Sequence, residues 1–235
     1  MHVCILGLGP SLDQYSGLVK RLGSRKKLCD EVWTINALGD LFQCDRIFHM
    51  DDVRIQEIRV KAAPESNIAA MMEWLKTTKT PVFTSRPRED FPSMQPYPLQ
   101  DVVRSTGYAY FNSTAAYAVA YAVHLGVDQI SLFGCDFTYP NAHHAEQGRG
   151  CVEFWLGMAA ARGIKITIPR CSSLMDGCVP DEEKLYGYDT LEVRFSRDEA
   201  GAITVAQTPR EDAPPSAEEI EARYDHNAHP NPLVS

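Results

Sequence analysis

Two segments that lie far apart in the chain each join a buried strand to a turn of small residues and the start of a helix. The first is residues 3–12, with the sequence VCILGLGPSL. The second opens at residues 112–114 and, after an apolar helix, closes on residues 130–136, with the sequence ISLFGCD. In an open parallel sheet, the turns that follow the strands lie along one edge, where ligands bind. Two such turns therefore predict one site of the size of a nucleotide.

The first turn supplies five predicted nucleotide-binding residues. Glycine allows close backbone approach and a positive φ, and amides at a helix start suit an anion. The turn is therefore predicted to hold a phosphate, with a tight strand–helix turn that binds nothing as the alternative. A dinucleotide cofactor is disfavoured because a third glycine is absent and the acidic residues 30–31 precede the second strand. The five residues are Gly7, Leu8, Gly9, Pro10 and Ser11.

Polar residues at other strand ends extend this predicted site. Asn36 follows the second strand, where its amide can donate and accept toward a base or ribose, or simply cap a turn. Ser113 and Thr114 begin a long helix, and they either cap it or also face a phosphate. Gly134, directly after the strand 129–133, is also a predicted nucleotide-binding residue. Asp136 follows it and is predicted to accept from ribose hydroxyls or to hold Mg²⁺, with a loop carboxylate as the alternative.

Two polar clusters are candidates for a catalytic base. His143 and His144 stand in a predicted polar loop, and an imidazole can take up a proton or neutralise a phosphate near neutral pH. We rank His144 before His143, and the alternative is that both are exposed loop residues. His49, Asp51 and Asp52 form the second cluster, at a strand end, where Asp51 could act as a base or the group could bind a metal.

The elements that position these residues alternate between strand and helix, which predicts an α/β fold with a Rossmann-like, mostly parallel sheet flanked by helices. Residues 86–106 contain four prolines and are predicted to form a lid-like surface loop without regular structure. The predicted strands cover 2–7, 31–35, 46–49, 81–84, 107–111, 129–133 and 164–168, and the predicted helices cover 10–22, 66–76, 114–125 and 146–162.

The chain is predicted to divide into three parts. Residues 1–180 form the nucleotide-binding α/β domain, and residues 181–208 form a small appendage with a hairpin across 198–201. Residues 209–235 are acidic and rich in proline, which predicts a mobile tail. Within the tail, a capping box predicts one short helix over 216–223.

Charge and cysteine content limit the classes of function. The formal net charge of −8 disfavours a general nucleic-acid binder, which needs clustered Lys and Arg. Seven cysteines without CxxC pairs favour a reducing cytoplasm and disfavour a zinc site. The N-terminal residues resemble neither a signal peptide nor a membrane span. We therefore expect a cytoplasmic protein without a membrane partner, and the sequence leaves a homo-oligomer open.

Three stretches also resemble a known superfamily. Residues 7–12, GLGPSL, resemble the GxGPSL opening of a group that includes bacterial sialyltransferases, flagellin-modification accessory glycosyltransferases and the archaeal-type 6-hydroxymethylpterin diphosphokinase. The strand VWTIN, residues 32–36, is similar to the next strand of that group, whose Asn contacts the nucleotide. Residues 113–137 are similar to a second signature of sialyltransferases, and the matching stretches fall within residues 1–175.

This resemblance implies a glycosyltransferase that uses a nucleotide-activated sugar, with CMP as one candidate carrier, and that needs no metal or other cofactor. It also implies that Tyr139 contacts phosphate or sugar. Leu8 stands where bacterial sialyltransferases carry an Asn that contacts the nucleotide sugar, so the donor sugar is left open. Their catalytic His lies in a longer insert than the segment 138–144, so which of His143 and His144, if either, takes that place is also left open. The alternatives are a diphosphokinase that uses ATP and Mg²⁺, and a nucleotide-binding protein without catalytic activity.

Overall fold

The computed structural model describes residues 1–137, 142–179, 184–188, 191–209 and 216–222. The chain divides into two compact units, Met1–Met175 and Asp176–Ser235. The first unit contains the strands β1 His2–Leu6, β2 Glu31–Ile35, β3 Arg46–Phe48, β4 Val82–Thr84, β5 Met94–Pro96, β6 Gln129–Phe133 and β7 Lys165–Thr167. Its helices are α1 Leu12–Leu22, α2 Leu38–Leu41, α3 Val53–Ala62, α4 Asn67–Thr77, α5 Leu99–Thr106, α6 Thr114–Leu125 and α7 Ala142–Ala161.

The seven strands form one sheet in the order β5-β4-β3-β2-β1-β6-β7, and every neighbouring pair is parallel. This confirms the predicted α/β class. The order reverses direction between β1 and β6, since β2 to β5 extend to one side of β1 and β6 and β7 to the other. In such sheets, the carboxyl ends of the strands at the reversal point form a crevice for ligands.

Helix α6 covers one face of the sheet at close range. Its alanines Ala116, Ala118, Ala120 and Ala122 are fully buried, and their small side chains let the helix backbone approach the strands. An aromatic layer completes this core, because Tyr121 packs on the rings of Trp33, Phe48 and Phe83. The position of α6 is therefore fixed firmly, and with it the position of its N-terminus.

The other face of the sheet carries two smaller apolar clusters. One centres on Tyr15 of α1 and on Cys4 and Leu6 of β1. The other joins Ile47 of β3 to Met72 of α4 and neighbouring residues. Because helices cover both faces, the strands β1 and β6 are buried almost throughout, as their continuous apolar sequences indicate.

The prediction that residues 86–106 lack regular structure is wrong. They contain strand β5 at the edge of the sheet and helix α5. The prolines are tolerated there because Pro96 ends the edge strand and Pro98 precedes the first turn of α5, where no backbone N–H is needed. The buried rings of Phe91 and Tyr97 anchor the segment to the core.

Two further differences concern elements beside the site. Residues 107–111 were predicted as a strand, but they run as irregular chain into α6. Helix α3 was not predicted, because its sequence has little apolar periodicity and leaves Ile55 and Ile58 exposed. The bounds of β2, α6 and β6 agree with the prediction residue for residue.

The second unit contains the antiparallel hairpin of β8 Leu191–Arg197 and β9 Ile203–Pro209, which confirms the predicted hairpin. Asp198 holds the turn, since its carboxylate accepts from the amide of Ala202 at 2.8 Å. A short helix, α8 Ala217–Glu221, begins with the predicted capping box between Ser216 and Glu219. Among the described residues, no helix has the length and apolar character needed to cross a bilayer.

Candidate functional site

A cleft of about 510 Å³ opens at the carboxyl edge of the sheet, at the point where the strand order reverses. Its walls come from the ends of β1, β2 and β6, from the loop after β3, and from the starts of α6 and α7. Thirteen residues line it, namely Gly7, Leu8, Ile35, Asn36, Asp51, Asn112, Ser113, Thr114, Ala115, Gly134, Cys135, Phe137 and Gly148. Seven of them were predicted site residues, and the structure brings them together from five separate places in the sequence.

The two small-residue turns meet in direct backbone contact beside this cleft. The amide of Gly7 donates to the carbonyl of Phe133 at 2.7 Å, and the amide of Gly9 donates to the carbonyl of Gly134 at 2.6 Å. A Cβ on Gly7 or on Gly134 would collide with the carbonyl oxygen of the other residue. The contact between the turns therefore requires glycine at both positions.

Ser11 and Asp136 lie beneath the turns, away from the place that the sequence predicted for them. Both Asp136 carboxylate oxygens accept from Ser11, one from its amide and one from its hydroxyl, at 2.7 Å each. The Ser11 hydroxyl oxygen also accepts from the amide of Gly134 at 2.6 Å. Ser11 is fully buried and Asp136 is 2% exposed, so this clamp holds the turns together and does not face the cleft.

The first turn consequently offers fewer amides to a ligand than predicted. Gly7, Gly9 and Ser11 use their amides within the protein, and Pro10 has none. Neither Gly9 nor Pro10 lines the cleft. The amide of Leu8 makes no hydrogen bond to a described residue, and Leu8 lies on the cleft wall with 67% of its surface exposed.

The N-terminus of α6 contributes more free amides to the cleft than the first turn does. Ser113 is the N-cap, and its hydroxyl accepts from the amide of Ala116 at 3.3 Å. The amides of Thr114 and Ala115 precede the first intrahelical hydrogen bond, and both residues line the cleft. A helix of twelve residues places partial positive charge at this end. The predicted capping by Ser113 is confirmed, and Thr114 lines the cleft.

Asn36 carries the clearest sign of a missing partner. Its backbone has a φ of 53°, in the left-handed region that Asn adopts more readily than most residues. The amide donates to the carbonyl of Phe48 at 2.9 Å, which fixes the residue at the end of β2. Asn36 lines the cleft, and its side-chain oxygen Oδ1 is buried and has no hydrogen-bond partner among the described residues. Buried polar atoms normally have such a partner, which makes this oxygen a candidate for a hydrogen bond from a ligand.

The cluster after β3 divides into three different roles. Asp51 is exposed and lines the cleft. Asp52 is the N-cap of α3, and its contacts with the guanidinium and amide of Arg54 lower the pKa of its carboxyl to about 2. His49 is fully buried, and neither ring nitrogen has a hydrogen-bond partner in the described part of the chain. Burial lowers the pKa of its imidazole, although Asp51 acts in the opposite direction.

Three predicted site residues lie wholly or partly outside the described residues. Tyr139 lies outside the described residues. His143 and His144 belong to the first turn of α7 and not to a loop, because this helix begins at Ala142, earlier than predicted. Their side chains lie outside the described residues. Gly148, one turn further along α7, lines the cleft.

Six lining residues were not predicted as site residues, namely Ile35, Asn112, Ala115, Cys135, Phe137 and Gly148. A glycine inside a helix such as Gly148 signals close packing, and this signal could have identified it. Cys135 is not a nucleophile at neutral pH, because burial raises the pKa of its thiol to about 12. Among the described residues, no group of three His, Cys, Asp or Glu side chains is arranged to hold a metal ion.

No protein-family model matches the sequence, and no curated protein matches it. Among solved structures, the chain is similar to a point mutant of the alpha-2,3/8-sialyltransferase CstII, with a TM-score of 0.46 and 18% identity over 95% of this chain and 100% of that chain. It is also similar to the sialyltransferase CstII from Campylobacter jejuni in complex with a substrate analogue, cytidine-5'-monophosphate. There the TM-score is 0.42 and the identity 17%, over 92% of this chain and 96% of that chain.

Proposed function

We propose that the cleft binds the nucleoside monophosphate part of an activated sugar and that the protein is a glycosyltransferase. The observation that carries this proposal is the buried, unpartnered Oδ1 of Asn36 on a cleft that also contains the N-terminus of α6. The first group accepts from a hydroxyl or amino donor, and the second attracts an anion. A nucleoside monophosphate carries both kinds of group within the size of one cleft.

The phosphate of this ligand would bind at the start of α6. The amides of Thr114 and Ala115 and the hydroxyl of Thr114 supply donors there, and the Leu8 amide supplies another on the same cleft. The helix dipole adds a favourable contribution of about 0.3–1 kcal/mol for an anion at this end. As the sugar leaves, charge grows on the phosphate, so the same donors stabilise the transition state.

Transfer would then require a base for the acceptor. The acceptor hydroxyl oxygen forms a bond to the anomeric carbon, the bond from that carbon to the phosphate oxygen breaks, and its electron pair stays on the phosphate. The hydroxyl proton goes to the base. We propose Asp51 for this role, because it is the one carboxylate among the described lining residues, with His144 and His143 as the alternatives at the start of α7.

The resemblance in sequence supports the same reaction. The strand VWTIN is similar to a superfamily strand whose Asn contacts the nucleotide, and Asn36 is the matching residue. The resemblance also supports transfer without a metal, which separates this proposal from a diphosphokinase that uses ATP and Mg²⁺. Under the diphosphokinase alternative, Asp51 would be a metal ligand and turnover would require Mg²⁺. EDTA therefore distinguishes the two reactions directly.

Calorimetric titration with CMP, UDP, GDP and ATP, each with Mg²⁺ and with EDTA, tests the proposal. We expect at least one nucleoside monophosphate or diphosphate to bind equally well in EDTA. Asn36→Gly should weaken that binding about three- to tenfold, because glycine keeps the left-handed backbone and removes the side-chain amide with its acceptor. Binding of ATP alone, and only with Mg²⁺, would contradict the proposal.

A transfer assay with the donor that binds then tests the base. Asp51→Asn should reduce kcat by about a hundredfold or more while nucleotide affinity is kept, as expected for loss of a general base. The double variant His143→Ala and His144→Ala is the counter-test. If it removes transfer and Asp51→Asn does not, the base is a histidine.

A further inference from the structure

Phe137 stands in the cleft wall in an unusual conformation. It lines the cleft, packs on the aromatic core and is neither fully buried nor fully exposed. Its φ is 51°, in the left-handed region that is rare for a bulky side chain. A backbone in this region costs about 1–3 kcal/mol and persists where the surroundings impose it, often at a ligand site. The neighbouring residues therefore determine this backbone conformation.

Contacts of the preceding residue and of the ring itself hold this conformation. The preceding residue, Asp136, is held by its two hydrogen bonds to Ser11, and its carbonyl oxygen accepts from the hydroxyl of Ser173 at 2.6 Å. The ring itself lies against Gly148 of α7, where an added Cβ would approach the ring carbon Cε1 to 2.5 Å. The ring position depends on this glycine, although glycine weakens the helix by about 0.5–1 kcal/mol relative to alanine.

We propose that Phe137 is the wall on which the base of the nucleotide stacks, an inference that rests on the proposed function. The ring is held at a fixed position on a cleft that also holds the phosphate site at α6 and the acceptor Asn36. Leu8 and Ile35 give the same cleft an apolar part, which suits a planar base and not a second phosphate. Stacking of a base on an aromatic ring tolerates any base, so this wall favours nucleotides as a class.

Paired ligands separate stacking from simple packing. CMP contains a base, whereas ribose 5-phosphate carries the same sugar and phosphate without one. Phe137→Leu keeps apolar volume and removes the aromatic face, and Phe137→Tyr keeps both. We expect Phe137→Leu to weaken CMP binding about tenfold, Phe137→Tyr to bind CMP as the wild type does, and ribose 5-phosphate to bind all three proteins equally in an NMR titration.

Helix α7 offers a matched control for the position of the ring. Gly148→Ala crowds the ring carbon, whereas a Cβ on Gly150 meets no atom within 4 Å. Gly148→Ala should weaken CMP binding several-fold, and Gly150→Ala should leave it unchanged. Circular dichroism of each variant reports whether the fold is retained.

The outcomes distinguish this inference from the proposal beneath it. If the wild type binds CMP and Phe137→Leu binds it equally well, the stacking wall is overturned and the proposed function is not. Equal losses for CMP and ribose 5-phosphate in Phe137→Leu would also overturn it, since they would show a packing role. A wild-type protein that binds none of the nucleotides would overturn the proposed function and the stacking wall together.

Discussion

Two polar residues at this site, Asp136 and Asn36, have surroundings that differ from what their residue types suggest. Asp136 is an acidic residue at a strand end, but its two oxygens are consumed by Ser11, so its function is to join the turns after β1 and β6. Asn36, by contrast, keeps a buried oxygen without a partner. Sequence pattern alone cannot separate these cases, because both residues are polar, follow a buried strand and lie at the ligand edge. What separates them is whether a second segment supplies the hydrogen-bond partner.

His49 makes the stability of the protein depend on pH. Burial disfavours its charged form, so the pKa of the imidazole is lower in the folded protein than its value of about 6.5 in the unfolded chain. The unfolded state therefore binds the proton more readily, and the stabilising contribution, complete above pH 6.5, is lost as the pH falls below it. We expect the free energy of unfolding to fall between pH 7.5 and 5.5 by up to about 1.4 kcal/mol per pH unit below 6.5.

Urea unfolding of the wild type and of His49→Leu across this pH range measures the effect. The variant removes the titrating ring and its two unpartnered nitrogens, so its pH dependence over this range should be markedly smaller. At pH 7.5 we expect the variant to be about as stable as the wild type, since leucine also fills an apolar interior. Parallel pH curves for the two proteins would show that His49 does not cause the dependence.

At the scale of elements, the contact between the turns after β1 and β6 shapes the site. Gly134 has a φ of 71°, and a Cβ there would collide with the carbonyl of Gly7. Gly163, after α7, has a φ of 77° but no atom within 4 Å of an added Cβ. Gly163→Ala should therefore cost only the left-handed strain, about 1–2 kcal/mol, and Gly134→Ala clearly more, because the turns must separate.

Chemical unfolding of both glycine variants checks this expectation, and Gly163→Ala isolates the cost of the backbone conformation. If Gly134→Ala does not fold at all while Gly163→Ala does, the expectation is met in its strongest form. Equal losses in the two variants would mean that the turns tolerate separation, and that the close backbone contact is not what requires glycine.

The sequence predicted the strands β2 and β6 and helix α6 well, because their signals are local. Buried strands appear as short apolar runs, and α6 has a cap at Ser113 and a glycine after its last turn. The prediction was wrong for helix α3 and for the segment 86–106 for the opposite reason. Their structure depends on tertiary contacts, such as the buried rings of Phe91 and Tyr97, which outweigh the local effect of proline.

For the site, the sequence predicted which strand ends would converge but not the depth of each side chain. It placed Asn36, Asp51 and Thr114 on the edge where the cleft lies. It could not show that Ser11 and Asp136 pair with each other across a large separation in the chain. It also gave no reason to choose Phe137, whose place is set by its backbone conformation and by Gly148.

At the scale of the whole molecule, the described part of the cleft and both apolar faces of the sheet belong to the unit Met1–Met175. In the second unit, Phe195, Ile203 and Val205 of the hairpin are each more than half exposed. An isolated two-stranded hairpin is marginally stable, because it buries little apolar surface. The first unit should therefore determine the stability of the chain.

A truncated protein that ends at Met175 tests this directly. We expect it to unfold in one cooperative transition, with a midpoint within a few degrees of the full chain, and to bind the same nucleotide with the same affinity. In the full chain, amide hydrogens of β8 and β9 should exchange far faster than those of β1 and β6, because local opening of a poorly buried hairpin costs little free energy. A truncated protein that is insoluble or has lost nucleotide affinity would show that residues 176–235 contribute to the fold or to the site. Slow exchange in the hairpin would lead to the same conclusion without any change to the chain.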